Sequence, residues 1–155
     1  KEMITRNADV MHYLFLRFAK PLKPGETYRI ALPTGERIDY HYEPEKNASS
    51  LFKYNQLGYM PQAGRKYAYL GAWLGDAGPL PMKEFLGKPF ELCDEATGKV
   101  VFSGTVEPRI PDPVSKEGVP FTGEETAELD FSKFSTPGTY FLRVAGIGRS
   151  EPFRL

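Results

Sequence analysis

The sequence PFELCDEATGKVVFSGTV, at residues 89–106, predicts two adjacent β-strands and the turn between them. Residues 89–94 place Phe90 and Leu92 on one side of the first strand, and residues 100–106 form the second. Thr97-Gly98 closes the pair, because Gly adopts positive φ without a steric penalty. This hairpin indicates an antiparallel sheet in the middle of the chain.

On either side of this hairpin, further short segments alternate between apolar and polar residues and are bounded by Gly and Pro. The additional predicted strands after residue 50 lie at residues 66–74, 125–131, 139–144 and 151–155, with Pro137-Gly138 opening the last hairpin. Residues 82–86 predict a short helical turn, and residues 107–123 a loop rich in Pro and Gly. About seven short strands punctuated in this way are typical of an antiparallel β-sandwich.

The first 44 residues predict a separate β segment. MHYLFLRF at residues 11–18 has a period of two, which places Leu14, Leu16 and Phe18 on one face. Residues 28–42 predict a β-hairpin around Pro33-Thr34-Gly35. The following residues are polar and unpatterned. We therefore divide the chain into N-terminal strands at 1–44, a linker at 45–50 and a sandwich at 51–155.

An internal similarity joins the two β segments. Pro24-Gly25 precedes Tyr28 much as Pro137-Gly138 precedes Tyr140, and each is followed by a strand, a turn and a final strand. Pro fixes φ on entering the corner, and Gly permits a left-handed turn. Two interpretations stay open. Residues 1–44 are the closing strands of a preceding sandwich, or such corners simply recur in all-β proteins.

Composition excludes several classes of protein. The chain of 155 residues holds 15 Gly and 14 Pro, about a fifth of the total, together with 11 Phe, 9 Tyr and 1 Trp. Scattered turn residues and abundant aromatics argue against a helical bundle, a coiled coil and a disordered chain. Twenty basic and 20 acidic residues cancel. Because no basic run stands out, we expect no nucleic-acid partner.

The sequence also gives little support to membrane insertion or to chemistry of its own. No stretch approaches 18 apolar residues, so we expect no membrane span, and the first residues do not resemble a signal peptide. The 2 His, His12 and His41, lie apart from Cys and carboxylates at ligand spacing, so we expect no metal and no cofactor. Cys93 is predicted to be a small core or edge residue rather than a nucleophile.

Four segments, in order, resemble a known family. They are Tyr54-Asn55-Gln56-Leu57-Gly58-Tyr59-Met60-Pro61 with Lys66-Tyr67-Ala68, Phe90-Glu91-Leu92 through Thr97-Gly98-Lys99-Val100-Val101 and Gly104, Asp130-Phe131-Ser132, and Gly138-Thr139-Tyr140-Phe141-Leu142 through Ser150-Glu151-Pro152-Phe153. Together they resemble the immunoglobulin-like domain that precedes the catalytic domain in glycoside hydrolase family 9 cellulases. The resemblance implies an all-β fold, an immunoglobulin-like antiparallel β-sandwich with an additional N-terminal β-hairpin segment.

The resemblance implies a non-catalytic module that packs against and stabilises a glycoside hydrolase domain of the same polypeptide, an endo-β-1,4-glucanase. We expect Asn55, Gln56 and Tyr59 to form the interface; the alternative is that the two amides only stabilise a turn. Such family 9 enzymes carry an Asp-Ala-Gly-Asp motif, and residues 75–79 read Gly-Asp-Ala-Gly-Pro. Because Pro79 replaces the last Asp, and an inverting glycosidase needs two carboxyls about 6.5–9.5 Å apart, we interpret Asp76 as a loop residue and expect no catalytic residue.

A second hypothesis is carbohydrate binding. Trp73 follows Tyr67 and Tyr69 at spacings that place all three on one face of a strand at residues 66–74. If exposed, this row would stack against the sugars of a plant polysaccharide; if buried, it belongs to the core, as aromatics in sandwiches usually do. The resemblance further implies a secreted, periplasmic or cell-surface location for the parent enzyme.

Overall fold

The computed structural model describes residues 13–155, which form ten β-strands and two short 3₁₀ turns. The 3₁₀ turns are Gly75–Ala77 and Met82–Glu84. The strands are β1 (Thr27–Ala31), β2 (Arg37–His41), β3 (Phe52–Lys53), β4 (Tyr67–Leu70), β5 (Pro89–Asp94), β6 (Val100–Pro108), β7 (Ala127–Asp130), β8 (Thr139–Val144), β9 (Gly148–Arg149) and β10 (Phe153–Arg154).

Strands β1 and β2 form the predicted N-terminal hairpin, a two-stranded antiparallel sheet of its own. Its turn places Gly35 at φ 88°, in the left-handed region that glycine tolerates. Arg29 and Asp39 pair across the strands through two hydrogen bonds of 2.7 and 2.8 Å. The hairpin predicted from residues 28–42 is therefore confirmed.

Strands β3 to β10 form one continuous antiparallel path in the order β10-β8-β5-β6-β7-β4-β3, with β9 also paired to β8. Strand β6 belongs to two sheets. Its residues up to Thr105 pair with β5, whereas Val106 to Pro108 pair with β7. A strand that changes sheets in this way allows one long path to fold back on itself as two layers.

The hydrophobic core lies between these two layers. Phe90, Leu92 and Leu142 from one layer and Leu70 and Leu129 from the other are fully buried in one cluster. Alternate residues along the strands point inward, as Ala68 and Leu70 do, while their neighbours stay half-exposed. The immunoglobulin-like antiparallel sandwich expected from the sequence is confirmed, with the small hairpin sheet beside it.

Segment 45–50, predicted as a linker, lies against the outer face of the β5–β8 layer. The Ser49 amide donates to the Arg149 carbonyl at 2.8 Å, and Ala48 forms a parallel bridge with Arg149. Below this region Cys93 and Phe141, neighbours across β5 and β8, are buried outside the main core cluster. The segment is therefore held to the edge of β9, and Cys93 is a buried residue rather than an edge residue.

Three local expectations differ from the structure. Residues 13–18 belong to no strand and are exposed, and residues 11 and 12 lie outside the described part. The strand predicted at 66–74 covers only Tyr67–Leu70, because its pairing with β7 ends at Leu70, opposite Ala127. Gly138 does not adopt positive φ. It leaves room for the Tyr140 hydroxyl, which lies 2.5 Å from where a β-carbon would stand.

Candidate functional site

The turn at residues 55–60, between β3 and β4, is rigid because side chains hold its backbone. The Asn55 side-chain oxygen accepts a hydrogen bond from the Leu57 amide at 3.1 Å, which is an Asx turn. The Gly58 amide donates to the Asn55 carbonyl at 2.9 Å. Gly58 lies at φ 104°, and a β-carbon there would stand 2.7 Å from the Arg154 carbonyl oxygen. The Asn55 amide thus stabilises the turn, which is the alternative to an interface role given in the sequence analysis.

Tyr59 fastens this turn to the sandwich. Its hydroxyl donates to the Tyr67 carbonyl at 2.6 Å and accepts from the Asn55 amide at 3.0 Å. Its ring packs edge-on against Phe131 and Phe153, at centroid distances of 5.0 and 5.4 Å. Burial raises the pKa of the Tyr59 hydroxyl, and the hydrogen bond from the Asn55 backbone opposes that rise. Tyr59 is therefore an anchor of the turn.

The same turn presents large apolar side chains to solvent. Leu57 is 96% exposed and Met60 is 76% exposed, although both flank the glycine of a well-fixed turn. Gln56 is also exposed beside them. Asn55, Gln56 and Tyr59 were predicted from the sequence, but Leu57 and Met60 were missed. Two apolar residues on either side of a turn glycine were the available signal. We call Leu57 and Met60, together with the polar Gln56 beside them, the apolar turn surface.

A buried lysine supports the far end of this turn. Lys66 is only 1% exposed, and its ammonium donates to the carbonyls of Pro61 and Ala63 at 3.0 and 2.8 Å. Its amide donates to the Ser132 hydroxyl at 2.9 Å. Both carbonyls belong to the segment that follows Met60, so the lysine fixes the path of the chain as it leaves the apolar turn surface.

The three aromatics proposed as a sugar platform do not lie on one strand. Tyr67 and Tyr69 share the half-exposed face of β4, whereas Trp73 lies beyond it, in a bridge with Pro79. The Arg109 guanidinium covers one face of the Tyr69 ring at 4.6 Å. Trp73 is 47% exposed, so it is not a core residue.

The remaining candidates for chemistry are isolated. Asp76 is exposed on the first 3₁₀ turn, as the loop interpretation expects. His41 ends β2, with its Nδ1 2.9 Å from the Thr27 hydroxyl oxygen, and His12 lies outside the described residues. Burial raises the pKa of the Cys93 thiol, with a smaller opposing effect from Arg143. Across residues 13–155, no group of His, Cys, Asp and Glu could hold a metal ion.

A second exposed apolar region lies in the loop between β6 and β7. Ile110 is 78% exposed and Phe121 73%. A groove of about 420 Å³ lies beside this loop, lined by residues that include Met82, Leu86 and Arg109. The Asp112 carboxylate accepts hydrogen bonds from the amides of Thr122 and Gly123 and closes the loop. From the sequence, residues 107–123 were predicted only as a loop.

Fold and surfaces together define an immunoglobulin-like β-sandwich module with exposed apolar turns. The sequence profile of the family described as "Cellulase N-terminal ig-like domain" matches residues 47–149, about two thirds of the chain. The chain belongs to this family. The match begins within the segment that lies on the β9 edge. No curated protein sequence matches the chain. In the described residues, no helix is long and apolar enough to cross a membrane.

Solved structures that the chain resembles include family 9 glycoside hydrolases and endoglucanases. A metagenome-derived family 9 endoglucanase is 25% identical, with a TM-score of 0.52, over 67% of this chain and 17% of its own. A family 9 protein from Bacteroides ovatus is 27% identical, with a TM-score of 0.46, over 68% and 15%. An endoglucanase from Alicyclobacillus acidocaldarius is 24% identical, with a TM-score of 0.42, over 66% and 14%. The chain thus spans about a sixth of the length of these structures.

Proposed function

We propose that the chain is a non-catalytic module of a longer family 9 glycoside hydrolase, an endo-β-1,4-glucanase, and that it packs against and stabilises the catalytic domain of the same polypeptide. The observation that carries this proposal is the apolar turn surface. Leu57 and Met60 stay exposed on a turn whose backbone is fixed by Asn55 and Tyr59. Exposed apolar side chains that together form a patch mark sites of interaction.

The position of this surface also suits a domain interface. The Tyr59 amide donates a hydrogen bond of 2.9 Å to the Arg154 carbonyl, so the turn lies beside β10. A module covering only 17% of a family 9 endoglucanase has a large neighbouring domain in such a relative. Since the turn is already ordered, docking would cost little conformational entropy.

The test uses the longer polypeptide, in which this chain is joined to its family 9 catalytic domain. We expect the double variant Leu57→Ser, Met60→Ser to lower the unfolding midpoint of the catalytic domain by several degrees. Each apolar side chain buried at an interface is worth roughly 1.5–3 kcal/mol, and each kcal/mol shifts the midpoint of a domain of 150–250 residues by about 2–4 °C. Differential scanning calorimetry and residual hydrolysis of soluble β-glucan after heating measure the effect.

A matched control separates docking from general damage. Val101 is a 40% exposed apolar residue on β6, far along the chain from the turn. Val101→Ser should leave the midpoint of the catalytic domain unchanged. The docking role is wrong if the double variant also leaves that midpoint unchanged. Hydrolysis of glucan by the 155-residue chain alone would overturn the non-catalytic assignment.

Carbohydrate binding is a second candidate, supported by the 47% exposure of Trp73. Aromatic side chains supply large flat contact areas for ligands, and a β-glucan, a plant polysaccharide, is the ligand class that such a surface would take. The chain should then migrate more slowly in a native gel that contains β-glucan, and Trp73→Ala should abolish the retardation. Tyr69, whose ring is covered by Arg109, serves as the matched control through Tyr69→Ala. Equal migration with and without glucan removes this candidate.

We place the parent enzyme outside the cytoplasm, as a secreted, periplasmic or cell-surface protein, because a polymeric substrate has to be degraded before uptake. Fractionation of cells that express the whole gene, followed by detection of this module, tests the location. Recovery of the module only in the cytoplasmic fraction would contradict it.

A further inference from the structure

The β1–β2 hairpin has one apolar face and one polar face. Tyr28 lies opposite Tyr40, and Ile30 lies opposite Ile38. Ile38 is 45% exposed and Tyr40 37%, while Tyr28 and Ile30 are half-exposed. The other face carries the Arg29–Asp39 pair. An isolated two-stranded hairpin is at best marginally stable in water, so an apolar face of this kind normally packs against another layer.

The complete sandwich contains a hairpin of the same design. Strand β8 follows Pro137-Gly138, and the Tyr140 hydroxyl donates back to the Pro137 carbonyl at 3.3 Å. A tyrosine near the start of strand F whose hydroxyl bonds to backbone a few residues upstream is the tyrosine corner of immunoglobulin-like folds. Strand β8 therefore corresponds to F, and the short strands β9 and β10, which both pair with it, close the sandwich.

The N-terminal hairpin begins with a similar corner. Strand β1 follows Pro24-Gly25, and the Tyr28 hydroxyl accepts a hydrogen bond from the Lys23 amide at 2.8 Å. As at Tyr140, the hydroxyl contacts backbone a few residues upstream of the strand, although Tyr28 accepts from an amide and Tyr140 donates to a carbonyl. The similar corner places β1 in the same position relative to its Pro-Gly turn as β8, with β2 as the strand that follows it.

The two hairpins differ in what covers them. Tyr140, Leu142 and Val144 are 4%, 0% and 1% exposed, because the layer that contains β3, β4 and β7 lies opposite them. Tyr28, Ile30 and Leu32 occupy the same relative positions, yet each is only half-buried. The side chains that would form a core are present in the first hairpin, but no comparable layer covers them among residues 13–155.

We propose that the hairpin Thr27 to His41 is the closing pair of strands of a second immunoglobulin-like sandwich, whose other strands lie upstream in the same polypeptide. In this fold F and G come last, so the strands that complete the layers must precede them in the chain. Five further strands of about five to six residues each need roughly 25–30 residues. The described residues before the hairpin, 13–26, contain no strand.

The test compares the 155-residue chain with the polypeptide extended by the coding sequence upstream of Lys1. Hydrogen exchange of the β1–β2 backbone amides should slow by at least about 100-fold in the extended polypeptide, since a covered ladder opens far less often than an uncovered one. Exchange in β5 and β8 should be the same in both proteins. Equal exchange of the hairpin amides in the two proteins would overturn the proposal.

Matched variants test the apolar face directly. Ile38→Glu places a carboxylate on the apolar face, and Ala31→Glu places the same group on the polar face, opposite Arg37. In the extended polypeptide, Ile38→Glu should lower the midpoint of the upstream unfolding transition by about 10 °C or abolish it, because a 60–100-residue domain shifts about 4–8 °C per kcal/mol. Ala31→Glu should leave that midpoint unchanged.

Two further outcomes would also overturn the proposal. One is a 155-residue chain that is a dimer by light scattering and becomes a monomer with Ile38→Glu, because a second copy would then cover the face. The other is an upstream coding sequence with no alternating strand segments. Neither outcome bears on docking of the catalytic domain, which depends on Leu57 and Met60.

Discussion

Gly104 lies where β6 begins to pass from one sheet to the other. The space that a side chain would occupy at this position is filled by a neighbouring residue. A β-carbon at this position would stand 2.6 Å from the Cζ atom of the Phe90 ring, which is fully buried. The φ of Gly104 lies outside the left-handed region, so the requirement for glycine is one of space and not of backbone conformation. Phe90 packs over the strand because that space is open.

We therefore expect Gly104→Ala to destabilise the sandwich by about 1–3 kcal/mol, the usual cost of overpacking a filled core. Gly64→Ala is the matched control, because a β-carbon added to Gly64 would meet nothing within 4 Å and its φ is not positive. It should leave stability unchanged or raise it by about 0.4–1 kcal/mol. Urea unfolding measures both variants, and equal midpoints for the two would contradict the packing argument.

The buried polar residues Lys66 and Ser150 both have hydrogen-bond partners. Ser150 is fully buried, with its hydroxyl accepting from the Leu142 amide at 2.9 Å and donating to the Glu151 carbonyl at 2.8 Å. Lys66 likewise donates to two carbonyls. A buried donor without a partner costs about 1–3 kcal/mol, so these bonds account for polar side chains inside an apolar sandwich.

At the scale of elements, the loop between β6 and β7 depends on one carboxylate. The Asp112 carboxylate accepts hydrogen bonds of 2.7 and 2.8 Å from the amides of Thr122 and Gly123, and so joins the two ends of the loop. The Gly123 bond, then the Thr122 bond, hold the pKa of Asp112 below its usual value of 3.8. A carboxyl whose pKa is lower in the folded protein stabilises it above the unfolded pKa, and that contribution is lost as the pH falls through the folded pKa.

We expect the amide NMR signals of Thr122 and Gly123 to titrate together with a midpoint below 3.8, and the loop to loosen as the pH falls through that midpoint. Asp112→Asn is the matched control, because its amide keeps an acceptor oxygen but does not titrate. The shared titration should disappear in this variant. A midpoint at or above 3.8, or an unchanged titration in Asp112→Asn, would contradict the role of the carboxylate.

At the scale of the whole molecule, the hairpin and the sandwich have separate hydrogen-bonded sheets. Only the sandwich has a large buried core among the described residues, and the apolar face of the hairpin lies outside that core. The segment between them is attached to the sandwich by an ion pair of Glu45 with Arg143 at 3.2 Å and by a hydrogen bond of 2.8 Å from the Ser49 amide to the Arg149 carbonyl. These polar contacts attach the segment but bring no described hairpin side chain into the core of the sandwich.

The sandwich should therefore unfold as a unit that is insensitive to the hairpin face. We expect Ile38→Glu in the 155-residue chain to change the free energy of unfolding reported by Trp73 fluorescence by less than about 0.5 kcal/mol. Leu142→Ala, at a fully buried position, should lower it by about 2–5 kcal/mol. A large effect of Ile38→Glu would show that the hairpin shares the sandwich core.

Local patterns predicted most of the strands, because alternation and turn chemistry act within a few residues. The hairpin around Gly35 and the pair closed by Gly98 have the expected positive φ at those glycines, and β5 has the predicted ends. The strand predicted at residues 66–74 is shorter in the structure, because its pairing with β7, which lies more than fifty residues later, ends at Leu70. Residues 13–18 alternate but belong to no strand, because alternation is a local pattern and a strand also depends on the rest of the sheet.

The sequence by itself determined the all-β class, the turns and the family, because these depend on local spacing and on an ordered set of short segments. The tertiary structure decided which residues are presented to solvent. The Tyr59 ring packs against Phe131 and Phe153, while the Leu57 and Met60 side chains stay exposed. It also separated Trp73 from Tyr67 and Tyr69. Exposure depends on contacts between strands distant in sequence, and these form only when the two layers pack.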